Sequence, residues 1–193
     1  MLDEKDGVDR AYSLSDYCFS VFFFGGPVAI SSILTIFVPG EVMMSCAVRS
    51  WTEFVLQVAP KMLEVPVESK DPDFVVFYHA SMISSVGVFV PAGFIYCVLK
   101  LKSGFGREGL ERRGRIGVVR DLFVCFLGIL FSWAWFSWGY KGGGMSDFWK
   151  SRETLLFFGF YPYLMIIGVW VATLMKVAEL FFFSRGVCWL RVQ

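Results

Sequence analysis

Residues 74–99 read FVVFYHASMISSVGVFVPAGFIYCVL and contain no Asp, Glu, Lys or Arg. About 20 largely apolar residues suffice for a helix to cross the hydrocarbon of a bilayer, where every backbone polar group must bond within the helix itself. Three more segments have this character, at about residues 17–38, 122–140 and 155–177, with Lys176 near the end of the last. The sequence therefore predicts one all-α membrane domain over residues 1–193, a bundle of four transmembrane helices.

The composition agrees with this class and excludes others. The 193 residues are 56% hydrophobic and 19% aromatic, more than is usual in a soluble domain. A net charge of +1 argues against nucleic acid as a partner, because such a partner requires an extended basic face. The first residues, MLDEKDGVDRAYSLSD, are acidic and lack the basic start of a secretory signal peptide. We therefore expect the first apolar segment to stay in place as a membrane anchor.

The basic residues are distributed unevenly around the four segments. Four crossings put the two termini and the central loop on one side, which holds twelve of the eighteen Lys and Arg residues. The positive-inside rule makes that side cytoplasmic. The largest contribution comes from residues 100–120, KLKSGFGREGLERRGRIGVVR, for which we expect a role in topology and anionic-lipid anchoring. Binding of a cytosolic partner is the alternative.

The first outer loop, residues 40–73, has the periodicity of an amphipathic helix. Its apolar positions are Met44, Ala47, Val48, Trp51, Phe54, Val55 and Val58. Its polar positions, on the opposite side, are Ser45, Arg49, Thr52, Glu53 and Gln57. Pro60 is expected to end the helix. The pattern predicts a helix lying in the outer membrane interface, where it either rests on lipid or covers a partner.

Each predicted span also carries small residues at helical spacing. Helices in lipid pack where small residues let them approach, so such stripes serve either internal packing or the docking of a foreign helix. The stripes are Gly25, Ala29 and Ser32 in the first span, Ala80, Ser84, Gly87 and Pro91 in the second, Cys125, Gly128 and Ser132 in the third, and Gly168 and Ala172 in the fourth.

The segments carry few groups with chemical reactivity. For His79, the single histidine, we expect a hydrogen bond near the membrane interface, and for Lys176 and Glu179 a surface pair at one end of the fourth span. The Trp and Tyr residues at the outer ends of the third and fourth spans, with Tyr163 among them, predict an aromatic belt or a recognition surface. No catalytic set, cofactor motif or metal-ligand spacing is present in the sequence. A non-enzymatic binding protein without a cofactor is expected.

Residues 153–174 read ETLLFFGFYPYLMIIGVWVATL, so the fourth span opens with a polar residue before Thr-Leu-Leu. With its four spans, cytoplasmic ends, long first outer loop and basic central loop, the chain resembles the immunity proteins that protect bacteria from colicin A-type pore-forming toxins. The resemblance implies residence in the bacterial inner (cytoplasmic) membrane. It also implies lateral binding to a toxin's pore-forming domain through helix packing, before the voltage-driven step opens the channel.

On this hypothesis the partner is bound by the small-residue stripes of the first two spans, with two Trp residues as outer-face anchors. These candidate residues are Gly25, Ala29, Ser32, Ala80, Ser84, Gly87, Pro91, Trp135 and Trp138. The competing hypothesis is a non-catalytic structural or assembly subunit of a secretion, conjugation or respiratory complex. A small transporter or a lipid-modifying enzyme is a third, less favoured class.

Overall fold

The computed structural model describes residues 14–58, 69–102, 107–138 and 151–189, and within these ranges the regular structure is entirely helical. Its elements are α1 (Leu14–Phe37), a 3-10 helix (Gly40–Met44), α2 (Cys46–Leu56), α3 (Pro72–Lys102), α4 (Arg107–Trp138), α5 (Arg152–Phe158) and α6 (Tyr161–Trp189). The prediction of an all-α chain is confirmed.

Three stretches of helix are long and apolar enough to cross a membrane, namely Asp16–Phe37, Pro72–Lys100 and Arg152–Phe181. They match the predicted first, second and fourth spans. The predicted third span falls in α4, which is helical as far as Trp138, and residues 139–140 lie outside the described ranges. The described residues therefore include three helices compatible with a membrane protein, together with a fourth long helix beside them.

The centre of the fold is the pair α3 and α6, which lie side by side and run in the same direction. His79 contacts Tyr163 near the start of both helices, and Gly93 lies against Val171 further along both. Helix α1 packs on α3 in the opposite direction, because its residue Phe23 also faces Gly93 while its start lies near the end of α3. Helix α4 packs on the far side of α6.

The two ends of this assembly are defined by charged residues. At one end, here called the Arg152 end, α1 finishes and α3 and α5 begin. At the other, here called the Lys100 end, α1 begins and α3 finishes. Between the two ends lie two apolar clusters. One comprises Phe74, Val75, Tyr78, Met82, Leu155 and Tyr163, and the other comprises Phe23, Phe89, Ile167 and Val171.

Two glycines set the close approach of the central helices. A methyl group on Gly26 of α1 would lie 2.6 Å from a ring carbon of Phe89. A methyl group on Gly93 of α3 would lie 2.7 Å from Phe23 and 2.8 Å from Val171. Aromatic rings therefore fill the space that a side chain at either glycine would occupy, as expected for helices that associate by close packing.

The predicted fourth span is interrupted between Phe158 and Tyr161 and is not one continuous helix. Pro162 has no N–H to bond the carbonyl of Phe158, and its ring is incompatible with a regular helix at that carbonyl. Gly159 is buried, and any side chain there would collide with the Tyr78 hydroxyl. The chain therefore starts a second helix at this point.

The basic segment predicted as a central loop is mostly helical. Helix α3 continues to Lys102 and α4 begins at Arg107, so only residues 103–106 fall outside the described helices. The two helices thus extend beyond the apolar segments into the region expected to be a loop. The ends of these two helices are rich in charged residues, so their hydropathy does not resemble that of a membrane span. The sequence pattern therefore indicated a loop.

The amphipathic helix expected in the first loop is present as α2, but one of its polar positions differs from the prediction. Thr52, expected on the polar side, is completely buried, as is Leu56. Met44, Phe54 and Val58, expected on the apolar side, are exposed and therefore free to meet lipid or a partner. Thr52 is buried because α2 packs on α3 along one edge of its apolar face.

Candidate functional site

The interior near the Arg152 end contains three hydrogen bonds between helices. The Ser31 and Tyr78 hydroxyls are 2.7 Å apart and join α1 to α3, while Ser31 also donates to the carbonyl of Leu155 at 3.4 Å. His79 Nδ1 lies 2.6 Å from the Tyr163 hydroxyl and joins α3 to α6. These residues are fully buried, so the bonds form away from water and specify how the helices are rotated against one another.

These positions bear on two expectations from the sequence. His79 makes a hydrogen bond, as expected, and its ring is fully buried between α3 and α6. Tyr163 is likewise buried against His79, so it is not part of an aromatic belt, whereas Tyr161 is 60% exposed. The reason is that Tyr163 lies on the side of α6 that faces α3.

Arg152 connects three segments at the surface of the Arg152 end. Its Nε and Nη2 atoms donate to Asp71 Oδ2 at 2.9 and 2.8 Å, and its Nη1 donates to the carbonyl of Val38 at 2.6 Å. The guanidinium also stacks over the ring of Phe74 at 3.9 Å. One side chain thereby ties the end of α1, the start of α3 and the start of α5 together.

The start of α5 is stabilised locally by Ser151. The Ser151 hydroxyl accepts a hydrogen bond from the Thr154 backbone N–H at 3.3 Å, as an N-cap residue does. Glu153 lies in the first turn, where a carboxylate is favourable to the helix dipole. Arg152 is therefore held on a well-defined helix start.

Charged residues also gather at the Lys100 end. Asp16 of α1 forms an ion pair with Lys100 and accepts a hydrogen bond from Tyr96, both of α3. Lys176 of α6 lies 2.8 Å from Glu179 and 3.7 Å from Asp121 of α4. Each of the outer helices, α1 and α4, is thus fastened to its neighbour by a carboxylate.

The Lys176–Glu179 pair differs from its prediction in one respect. The two side chains pair as expected, but they are only 15% and 6% exposed and so do not form a surface pair. Helix α4 covers them and contributes Asp121 as a second carboxylate. The spacing of Lys176 and Glu179 in the sequence indicated the pair correctly. It did not indicate that another helix would bury the pair.

The candidate partner-binding stripes of α1 and α3 are largely bare. Gly25 and Ala29 of α1 are exposed, and Ser32 is partly exposed. On α3, Ala80 is buried beneath α2, Ser84 is partly exposed, and Gly87 and Pro91 are exposed. A methyl group on Gly87 would meet no atom within 4 Å. Only Ala80 of these residues is covered by internal packing.

The two stripes lie on different sides of the molecule. Helix α1 packs against Phe89 of α3, and Phe89 follows Gly87 by two residues. Two residues correspond to about 200° of rotation on a helix, so the Gly87 stripe is nearly opposite α1. The stripes of α1 and α3 are therefore two separate surfaces and not one groove.

The stripes of the other two helices differ from each other. Gly128 of α4 packs directly against Val169 of α6, where an added methyl group would lie 3.2 Å from a valine carbon. Gly168 of α6 is open, with no atom within 4 Å of such a methyl group. Trp135 and Trp138 lie on α4, but their side chains are outside the described part of the structure.

Sequence reasoning missed the residues that connect distant segments. Asp71 and Arg152 are of opposite charge and each lies just before or at a helix start, which was an available signal for an ion pair between the starts of α3 and α5. Ser31 and Tyr78 are polar residues within apolar spans, a second available signal. Among the described residues, no group of three or more His, Cys, Asp or Glu side chains is arranged to hold a metal ion.

Comparison with known proteins finds no matching family model, no matching curated protein and no matching solved structure. The geometry of the chain itself is therefore the basis for assigning a function.

Proposed function

We propose that the chain is a four-span protein of the bacterial inner membrane that confers immunity to a pore-forming toxin by binding the toxin's pore domain laterally. The carrying observation is the bare Gly87 stripe in the middle of α3, flanked by exposed apolar residues. Val88 and Ile95 lie beside it and are 61% and 58% exposed. Such a face allows an apolar helix to approach closely, which is the main way in which helices associate in lipid.

Pro91 adds a polar feature to this face. Because Pro91 has no N–H, the carbonyl of Gly87 lacks the donor that the fourth following residue normally provides. In lipid an unsatisfied carbonyl is costly, so a partner helix that offers a hydroxyl or amide group gains a hydrogen bond there. The Gly25, Ala29 and Ser32 face of α1 is a second contact surface in this proposal, with Trp135 and Trp138 as anchors.

The four-span topology is supported by the positions of charge along the helices. Because α3 and α6 run in parallel with Gly93 beside Val171, Lys100 and the Lys176–Glu179 pair lie toward the same end of the assembly. Asp121 meets Lys176, so the start of the apolar part of α4 lies toward this end too. In the proposed topology the Lys100 end faces the cytoplasm. Reporter fusions within residues 103–106 should therefore report a cytoplasmic location, and a periplasmic signal would contradict the topology.

The function is tested by challenging cells that express the chain with a panel of pore-forming bacteriocins. The proposal expects survival against at least one toxin of the panel, and equal sensitivity of expressing and control cells to all of them would contradict it. The Gly87→Leu variant should reach the membrane at normal levels but lose at least tenfold in protective titre. Gly168→Leu is the matched control, because it adds the same bulk at another open glycine and should protect normally.

A structural or assembly subunit is the second candidate function, and the exposed side of α4 favours it. Phe123, Val124 and Phe131 of this helix are exposed, while α4 packs mainly on α6 among the described elements. A constitutive subunit should copurify in mild detergent with stoichiometric partners from toxin-free cells. An immunity protein should be recovered from such cells without them.

A further inference from the structure

Helix α2 presents three different sectors to its surroundings. The first packs on α3 and comprises Val48, Thr52, Val55 and Leu56. The second is polar and exposed and comprises Arg49, Ser50, Glu53 and Gln57. The third, here called the apolar sector, is exposed and comprises Ala47, Trp51, Phe54 and Val58. After docking on α3, the helix therefore remains amphipathic toward its surroundings.

The position of α2 along α3 places it near one boundary of a bilayer. Together with the 3-10 helix it forms an apolar cluster with Val76, Phe77, Ala80 and Ile83, which follow the first residue of the Pro72–Lys100 span by four to eleven residues. At about 1.5 Å per residue, these contacts extend from about 6 to about 17 Å along the span. A helix beside this part of α3 lies where headgroups give way to acyl chains.

The apolar sector is close to a surface of α3 that has no protein cover. The 3-10 helix and α2 together bury Ala80, the first residue of the small-residue stripe. The same side of α3 continues past Gly87 to Pro91 without cover from the described residues. This side belongs to a helix long and apolar enough to span a membrane, in which the medium beside it would be acyl chains. Helix α2 lies at the edge of this side nearest the Arg152 end.

We propose that the apolar sector of α2 inserts among the acyl chains of the phospholipids at the Arg152 end, while its polar sector faces headgroups and water. This inference does not depend on the proposed immunity function. A second copy of the chain is a poor occupant, since four side chains present on the order of 400 Å², about half of the roughly 800 Å² per partner in a stable interface. Insertion into lipid does not require a minimum contact area of this kind.

Site-directed spin labelling tests this placement in vesicles of phosphatidylethanolamine and phosphatidylglycerol. Single cysteines are introduced at Ala47, Phe54 and Val58 of the apolar sector, and at Arg49 and Glu53 of the polar sector as matched controls. The native cysteines, five in the sequence, are replaced by alanine. Labels in the apolar sector should be several-fold more accessible to oxygen than to a water-soluble nickel chelate, and labels in the polar sector the reverse.

Two results would overturn the proposal. High nickel accessibility in both sectors would mean that α2 lies in water. Low accessibility of the apolar sector to both reagents would mean that protein covers it.

A second measurement does not need the cysteine-free chain. Trp51 lies in the apolar sector, 5.8 Å from the Phe77 ring, so lipids brominated near the headgroup end of their chains should quench its fluorescence. The quenched fraction should fall in Trp51→Phe, and an unchanged fraction would count against insertion.

Discussion

The sharpest prediction compares two glycines six residues apart on the same helix. In Gly93→Ala the new methyl group would lie 2.7 Å from a Phe23 ring carbon and 2.8 Å from a Val171 methyl carbon. Both neighbours are largely buried, and the β-branched Val171 has little freedom to move away. In Gly87→Ala the new methyl group meets no atom within 4 Å. The same substitution is therefore made once in a packed interface and once in open space.

The magnitudes follow from two opposing effects. Overpacking a filled interior costs about 1–3 kcal/mol, while replacing Gly by Ala within a helix favours folding by about 1 kcal/mol. Gly93→Ala should therefore lower the free energy of unfolding by up to about 2 kcal/mol. Gly87→Ala should leave it unchanged or raise it by up to about 1 kcal/mol. A difference of about 2 kcal/mol between the two variants is the expected result.

The assay is unfolding of the purified protein in mixed micelles by titration with sodium dodecyl sulphate, followed by circular dichroism. Each variant is compared with the unaltered chain at the same protein and detergent concentrations. Equal free energies of unfolding for Gly93→Ala and Gly87→Ala would refute the close packing of α1, α3 and α6 at Gly93. Destabilisation by Gly87→Ala alone would reverse the assignment of packed and open faces.

The same titration checks three further substitutions. Arg152→Lys keeps the charge but cannot make all three hydrogen bonds and the ring contact, so it should lower the free energy of unfolding by about 1–2 kcal/mol; no change would mean that the connection is not formed. Tyr163→Phe removes the hydroxyl bonded to His79 and should cost about 0.6–1.7 kcal/mol, whereas Tyr161→Phe, at an exposed ring, should cost nothing measurable. Lys176→Met leaves two nearby carboxylates without their cation and should cost about 3 kcal/mol, and a neutral outcome would show that the pair is solvated.

The sequence predicted the helices well because membrane spans are long and apolar. The first, second and fourth predicted spans match helices of suitable length and composition, and the periodicity of residues 44–58 indicated α2. Both signals are local, since each depends on a continuous run of residues. The interruption at Gly159 was also signalled locally, by Pro162, but the continuous apolar run around it obscured that signal.

The contacts between helices were not predictable in the same way. In lipid the outside of a bundle is as apolar as the inside, so apolar periodicity does not report which side of a span is buried. Gly87 lies on an exposed face of α3 and Gly93 lies in a packed interface. Both positions are glycine in the sequence, so the residue type does not distinguish the two faces. His79 and Tyr163 are 84 residues apart, and their bond depends on the rotation of two helices that no local pattern records.

The arrangement of ion pairs has a consequence for how the chain is assembled in the membrane. Asp16 joins the first long helix to the second, and Asp121 joins α4 to α6, so each half of the sequence forms its own antiparallel hairpin. The parallel contact between α3 and α6 then joins the two hairpins, together with the bonds of Ser31 to Leu155 and of Arg152 to Val38 and Asp71. We expect each hairpin to form locally first and the two to associate afterwards by lateral diffusion, as helices do in lipid.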